Sequence, residues 1–369
     1  MGILNRKKTK PKYYSSERIR QENATYYMIY GKRSNGKTYD ILSLVLKNYI
    51  INGKQSAYIR RWQTDFNSKT THNLFNGLVK NGVITDLTNG QYNAVRYYAR
   101  KWYLCFVDDE GNKTIDDMPF MIGFLISEME SDKSASYDDV TLICFDEFIS
   151  RDNYIVDEFV AYMNVISTIV RNRTDVTIFM LGNTVNKYCP YFKEMGITRY
   201  KDMQAGDIQV YDYGESGLRV AVEYADADSG GSDSNFYFAF DNPKLKMITG
   251  GAWELEIYPH APCKYKQKDI CFNYFIDFDG ELLQCDIVTV GDNMFTYIHQ
   301  KTTPLKHPDD DLVYSPIATH KWNYKRNILK ASNKVEQRII WFFKFDKVFY
   351  QDNEVGELVR NYLLWCKQH

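Results

Sequence analysis

The chain has 369 residues, 44% of them hydrophobic and 25% charged, with a formal net charge of −1. That length accommodates two domains, each with its own core, and that balance excludes both a disordered chain and one that coats nucleic acid indiscriminately. No apolar run approaches the roughly 20 residues of a membrane-spanning helix, so no membrane partner is expected.

The 30 Tyr, 21 Phe and 6 Trp point to β-rich packing. Seven cysteines include no C-x-x-C pair, which fits a reduced, intracellular protein. His260 and Cys263, with Cys271 and Cys285 beyond, match no regular zinc spacing and read as ordinary thiols.

In chain order, residues 1–20 form a basic tail carrying Arg6, Lys7, Lys8, Lys10 and Lys12: a solvated segment or an arm for nucleic acid. Tyr26 to Tyr30 is a β-rich run, and Ile41, Leu42, Val45 and Tyr49 recur at helical spacing. Between them, Gly31-Lys32-Arg33-Ser34-Asn35-Gly36-Lys37-Thr38 satisfies G-x-x-x-x-G-K-[ST]. The glycines let backbone N–H groups converge on an anion, and the following helix adds its positive end. In such a loop Lys37 meets the β and γ phosphates, and the Thr38 hydroxyl meets magnesium. ATP and Mg2+ are therefore the expected cofactors.

Ser56 to Arg60 reads as a second strand, and Arg60-Arg61-Trp62 at its end either touches DNA or packs as a strand terminus. Tyr97 to Val107 reads as one strand, followed by a hairpin turn at Asp108 to Asn112 and an extended piece from Lys113 to Phe124. The wholly apolar run in VTLICFDEF (140–148) suits a central parallel strand. Asp146 and Glu147 at its end either cap a following helix or divide the labour, Asp146 holding magnesium through water and Glu147 orienting and activating the attacking water. The expectation is that this strand lies next to the loop's own strand, so that both close on one triphosphate.

Ile155, Phe159, Met163, Ile166 and Val170 mark an amphipathic helix ending in Arg171-Asn172-Arg173. A buried strand, Val176 to Leu181, then ends on Gly182-Asn183, where Asn183 either senses the γ-phosphate or makes a turn. Domain boundaries follow: a P-loop ATPase domain over 21–228, a linker over 229–266 and a smaller α+β domain over 267–369. In that last domain, strands from Ile270 to His299 and two helices, Lys334 to Phe345 and Val355 to Cys366, are expected. Lys321, Lys325 and Arg326 beside Trp322 and Tyr324 form a mixed basic and aromatic stretch, suited to DNA or to a solvated face.

The order and wording of these motifs resemble the φ29-type family of bacteriophage DNA-packaging ATPases. The resemblance rests on the glycine-rich loop with Arg33 inside it, Tyr58 to Trp62 (YIRRW), Asp132 to Tyr137 (DKSASY), Phe145 to Phe148 (FDEF), Val170 to Arg173 (VRNR) and Leu181-Gly182-Asn183. One departure is Gln63, where a lysine would follow YIRRW. The resemblance implies an α/β ATPase of the additional-strand, catalytic-glutamate type, with a C-terminal domain resembling an RNase H-like nuclease that has lost its acids. It implies Glu147 as the catalytic acid, with Arg171 and Lys133 acting in trans on a neighbour's nucleotide and Arg33 as the rival contact in cis.

The implied function is a ring motor, a homo-oligomer of five subunits, that sits on the portal of an empty procapsid and drives double-stranded DNA inward in the cytoplasm of the infected bacterial host. A structural packaging RNA is left open. Two alternatives stand beside it: a terminase-like enzyme with an active C-terminal nuclease using Asp277, Asp279 and Asp286, and a nucleotide-binding scaffold without turnover.

Overall fold

The computed structural model describes residues 13–67, 69–128, 136–150, 154–184, 189–226 and 258–369. The chain divides into two compact units, residues 1–253 and 254–369. The division falls inside the stretch expected as a linker, of which residues 229–257 lie outside the described residues, as do the first twelve residues of the basic tail.

The first unit opens with a short helix, α1 (Glu17–Arg20), and a strand, β1 (Tyr26–Gly31), that is buried along its whole length. Burial on both faces requires apolar residues at every position, and the pleat sends them to two separate cores. Met28 and Tyr30 face one core; Tyr27 and Ile29 face the other. Helix α2 (Lys37–Asn52) packs on the second face through Ile41, Leu42, Val45 and Leu46 and stops at Gly53, which is left-handed with φ 66°. After β2 (Gln55–Arg60), four short helices, α3 to α6, run between residues 63 and 87.

The expected single strand over Tyr97 to Val107 is instead a hairpin, β3 (Ala94–Tyr98) and β4 (Lys101–Val107), paired antiparallel. Its turn uses Ala99 and Arg100 at φ 49° and 60°, conformations that carry no Gly or Asn signature in the sequence. The turn at Asp108 to Asn112 is present, leading into β5 (Lys113–Ile115), and β6 (Met121–Leu125) follows. Next come β7 (Val140–Asp146), α7 (Glu158–Val170), β8 (Thr177–Asn183), α8 (Pro190–Glu194), β9 (Ile208–Tyr213) and β10 (Leu218–Ala225).

The strand order is β3-β4-β6-β2-β7-β8-β1-β10-β9, with β5 on β4. The stretch from β6 to β10 is parallel throughout. One expectation is corrected here. The strand that carries Asp146 does not neighbour β1, because β8 is inserted between them. Its end brings Asn183 to the same edge as Gly31, with which it is in register.

The second unit holds an antiparallel meander, β11 (Ile270–Phe278), β12 (Glu281–Val290) and β13 (Asn293–Gln300), as the sequence indicates. Three short strands extend it: β14 (Val313–Tyr314) and β15 (Tyr324–Lys325) beyond β11, and β16 (Val348–Tyr350) beyond β13. Helices α9 (Lys334–Lys344) and α10 (Asn353–Gln368) are capped by Asn333 and Asp352, whose side chains accept the first free N–H groups. Among the described residues no helix is long and apolar enough to cross a membrane.

Candidate nucleotide site

The strands of a parallel sheet all end on one edge, so the chain segments that follow β1, β7 and β8 converge there. Ser34, Asn35, Gly36, Lys37, Thr38 and Tyr39 line a cleft of about 320 Å³ together with Asp146, Glu147, Leu181, Gly182 and Asn183. The loop and the twin acids, about 110 residues apart in sequence, thus share one cavity.

The loop owes its shape to its glycines. A Cβ on Gly31 would stand 2.9 Å from the Ala225 carbonyl oxygen of β10, too close for any side chain. Gly36 lies at φ 97° where α2 begins. The loop is braced from outside by the backbone N–H of Tyr14, which donates to the Asn35 carbonyl at 2.8 Å.

Lys37 is 5% exposed, and its ammonium donates to the Lys32 carbonyl at 2.7 Å, to Asn35 Oδ1 at 3.0 Å and to Asn183 Oδ1 at 3.4 Å. Burial lowers its pKa to about 8, against the attraction of Asp146. Asn183 therefore points into the cleft rather than only closing a turn. Lys32 and Arg33 belong to the loop but not to the cleft lining; Arg33 is exposed.

Asp146 is half-buried, its side chain 14% exposed, and partial burial raises its carboxyl pKa, helped by Glu147; Arg60, a hydrogen bond from Tyr58 and Lys37 pull the other way. The Tyr58 hydroxyl donates to Asp146 Oδ2 at 3.0 Å. Glu147 adopts a left-handed backbone at φ 65°, and its side chain is 56% exposed at the cleft lining.

Arg60 and Arg61, expected at a DNA surface or a packed strand end, take the second course. Arg60 donates to the Glu147 carboxylate at 2.7 Å and lies 3.9 Å from Asp146 and 3.6 Å from Asp65. Arg61 is 6% exposed and paired with buried Glu158, its Nε 2.8 Å from both carboxylate oxygens. Breaking a buried pair of this kind by removing one partner costs about 3–5 kcal/mol. The sequence hid both roles because the partners lie 87 and 97 residues away.

Arg171 caps the C-terminal end of α7 at φ 51°, exposed, at the sheet edge where strands begin. Its neighbour Arg173 fixes that edge by donating to the carbonyls of Asp138 at 3.0 Å and Val140 at 2.6 Å. Arg171 is therefore on the far edge from its own chain's cleft. Lys133 lies outside the described residues.

In the second unit Lys321 pairs with Asp309 at 2.9 Å, and Lys325 lies 3.9 Å from Glu336. Arg326 donates to the Pro316 carbonyl and lies over the Trp365 ring at 5.5 Å. Asp286 is nearly fully buried, and its carboxylate receives Asn273, Gln284, Tyr265 and His299. Among the described residues no three acidic, His or Cys side chains gather as a metal cluster, there or at the His260–Cys263 segment.

A predominantly parallel α/β sheet with a glycine-rich phosphate loop and paired acids on one edge defines an α/β nucleotide-binding class of domain. The sequence profile of the Podovirus DNA encapsidation protein (Gp16) family matches residues 8–202, just over half of the chain, and the chain belongs to that family.

The DNA packaging protein of Bacillus phage B103 is 30% identical over 172 residues, 46% of this chain and 47% of that protein. That of Bacillus phage phi29 is 27% identical over 183 residues, 49% of each. The chain thus matches about half the length of these curated relatives. The fold is shared more widely: a chain of the bacteriophage Phi-29 viral genome packaging motor assembly aligns over 97% of this chain and all of that one, with 20% identity and a TM-score of 0.59. A chain of the Phi-28 gp11 DNA packaging motor aligns with a TM-score of 0.54 at 16% identity.

Proposed function

We propose that this chain is an ATP-driven, magnesium-dependent motor that moves double-stranded DNA into an empty phage procapsid. The observation that carries the reading is the single cleft shared by Lys37, Thr38, Asp146, Glu147 and Asn183. Family membership and the names of the relatives, DNA packaging proteins of Bacillus phages, support the DNA substrate.

Within the cleft, the Thr38 hydroxyl and the Asp146 carboxylate supply the hard oxygen donors that a magnesium ion prefers. When bound, that ion neutralises charge on the phosphates. Lys37 holds the β and γ phosphates, Asn183 fixes Lys37, and Glu147 takes the proton of the attacking water. The inserted β8 supports the additional-strand assignment. The position of Arg171 on the far edge supports delivery to a neighbour's nucleotide, with Lys133 as its proposed companion and Arg33 as the contact in cis. An arginine so delivered contributes roughly a thousandfold or more to hydrolysis.

In the second unit, the order β13-β12-β11-β14-β15, with the first three strands antiparallel and β14 parallel to β11, supports an RNase H-like domain. Asp286, satisfied by protein donors, favours a vestigial one. Lys321, Lys325 and Arg326, beside exposed Trp322, remain the proposed DNA contacts there. The proposed assembly is a five-membered ring on the portal, in the cytoplasm of the infected host.

The test is turnover of MgATP with and without double-stranded DNA. The reading expects hydrolysis that DNA stimulates; a protein that binds ATP but never hydrolyses it, with or without DNA, is a scaffold instead.

A further inference from the structure

We infer that Arg61 is the positioning residue for Glu147, acting through its backbone rather than its carboxylate; this rests on the proposed ATP hydrolysis. One guanidinium gathers two consecutive carbonyls of the turn that carries the acid: one terminal N–H donates a hydrogen bond to the Glu147 carbonyl and the other donates to that of Phe148 at 2.7 Å. The remaining Nε donates to both oxygens of Glu158. The group also lies over the rings of Phe145, at 5.4 Å, and Tyr154, at 5.1 Å.

Such a clamp has a physical reason to exist at this point. Glu147 is held at φ 65°, a conformation that a residue with a Cβ adopts only where its surroundings enforce it. A second tether, the Phe148 N–H donating to the Leu181 carbonyl at 3.0 Å, ties the same turn to β8 just before Asn183. The turn is thereby fixed from both sides while the Glu147 side chain stays exposed to the cleft.

The clamp is itself fixed. Glu158 accepts from the Tyr191 hydroxyl at 2.6 Å and from the Ile155 N–H at 2.8 Å. Tyr191 is fully buried in α8, the helix that follows the Asn183 strand. Arg61 thus joins the ends of β2 and β7 to the first turns of α7 and α8. A lysine carries the same charge but lacks the planar fork, so it cannot serve both carbonyls and both carboxylate oxygens.

The experiment uses the full chain, with Arg61→Lys, Tyr191→Phe and wild type compared for fluorescent-ATP affinity, KM, kcat and thermal midpoint. Arg61→Lys is expected to bind ATP within about threefold of wild type and to lose kcat by about 100-fold, as for a reacting group displaced by an ångström. Tyr191→Phe keeps the buried ring and removes one support of Glu158; it is expected to lower kcat by about three- to tenfold at unchanged affinity. The inference is overturned if wild type turns over and Arg61→Lys matches it, or loses kcat only in step with affinity or folded fraction. If Arg61→Lys does not fold, Tyr191→Phe decides: wild-type kcat overturns the inference. Absence of turnover in wild type itself overturns the proposed function instead, which separates the two.

Discussion

Arg60 brings one guanidinium nitrogen to 2.7 Å from the Glu147 carboxylate and another to 3.9 Å from Asp146, so a single cation from β2 serves both the last residue of β7 and the acid that follows it. Two adjacent carboxylates repel, and burial already raises the pKa of Asp146; Arg60 is the first force opposing that rise. Removing it leaves Asp146 protonated to higher pH. The acidic limb of the pH–turnover profile of Arg60→Ala should therefore move upward relative to wild type. A limb that stays in place would show that Arg60 does not control the ionisation of this acid.

Lys37 titrates near pH 8 instead of at its ordinary 10.5. Between those values the unfolded chain holds a proton that the folded chain lacks, so this group's share of stability increases as pH rises through the window and is unfavourable below it. A triphosphate beside Lys37 favours the ammonium form. Nucleotide binding at pH 9 should take up a proton that binding at pH 7 does not. Calorimetry in two buffers of different ionisation enthalpy measures this uptake, and Lys37→Met should remove it.

Gly36 begins α2 at φ 97°. Alanine there meets a left-handed backbone, which costs roughly 1–2 kcal/mol. Gly36→Ala should lower the unfolding free energy by about that amount and weaken ATP binding, since the same turn presents the loop's N–H groups. Denaturant unfolding and nucleotide titration read the two effects separately; unchanged binding would remove the loop from the site.

Arg171 stands at the opposite sheet edge from its own cleft. Mixtures of Arg171→Ala and Glu147→Gln chains, each inactive alone, should recover hydrolysis, because some interfaces then pair an intact arginine with an intact acid. Mixtures as inactive as their parents would place the arginine's action in cis or nowhere.

What the sequence showed and what it concealed divide along a physical line. The glycine-rich loop and the Asp146-Glu147 pair are local patterns, each with its chemistry in a few consecutive residues, and both were legible. Helices α9 and α10 lie close to the expected spans, Lys334 to Phe345 and Val355 to Cys366. The relationships across the sheet were not legible. Nothing in the run from Gly31 to Asn183 says that β8 slides between β1 and β7, because strand order is set by tertiary packing.

Arg60 and Arg61 read as equivalent neighbours, yet the pleat sends one toward the acids and the other into an apolar interior with Glu158. The hairpin at Ala99-Arg100 was hidden because it turns without Gly or Asn. β9 and β10 went unread among the tyrosine-rich segments before residue 226.

The central claim is that the loop at Gly31 to Thr38 and the acids at the end of β7 act on one MgATP. Its most direct test is the pair of numbers measured on Glu147→Gln: affinity for MgATP and rate of turnover. Affinity within about threefold of wild type, with turnover reduced by about a hundredfold or more, is the expected result. Ordinary turnover in Glu147→Gln would contradict the account.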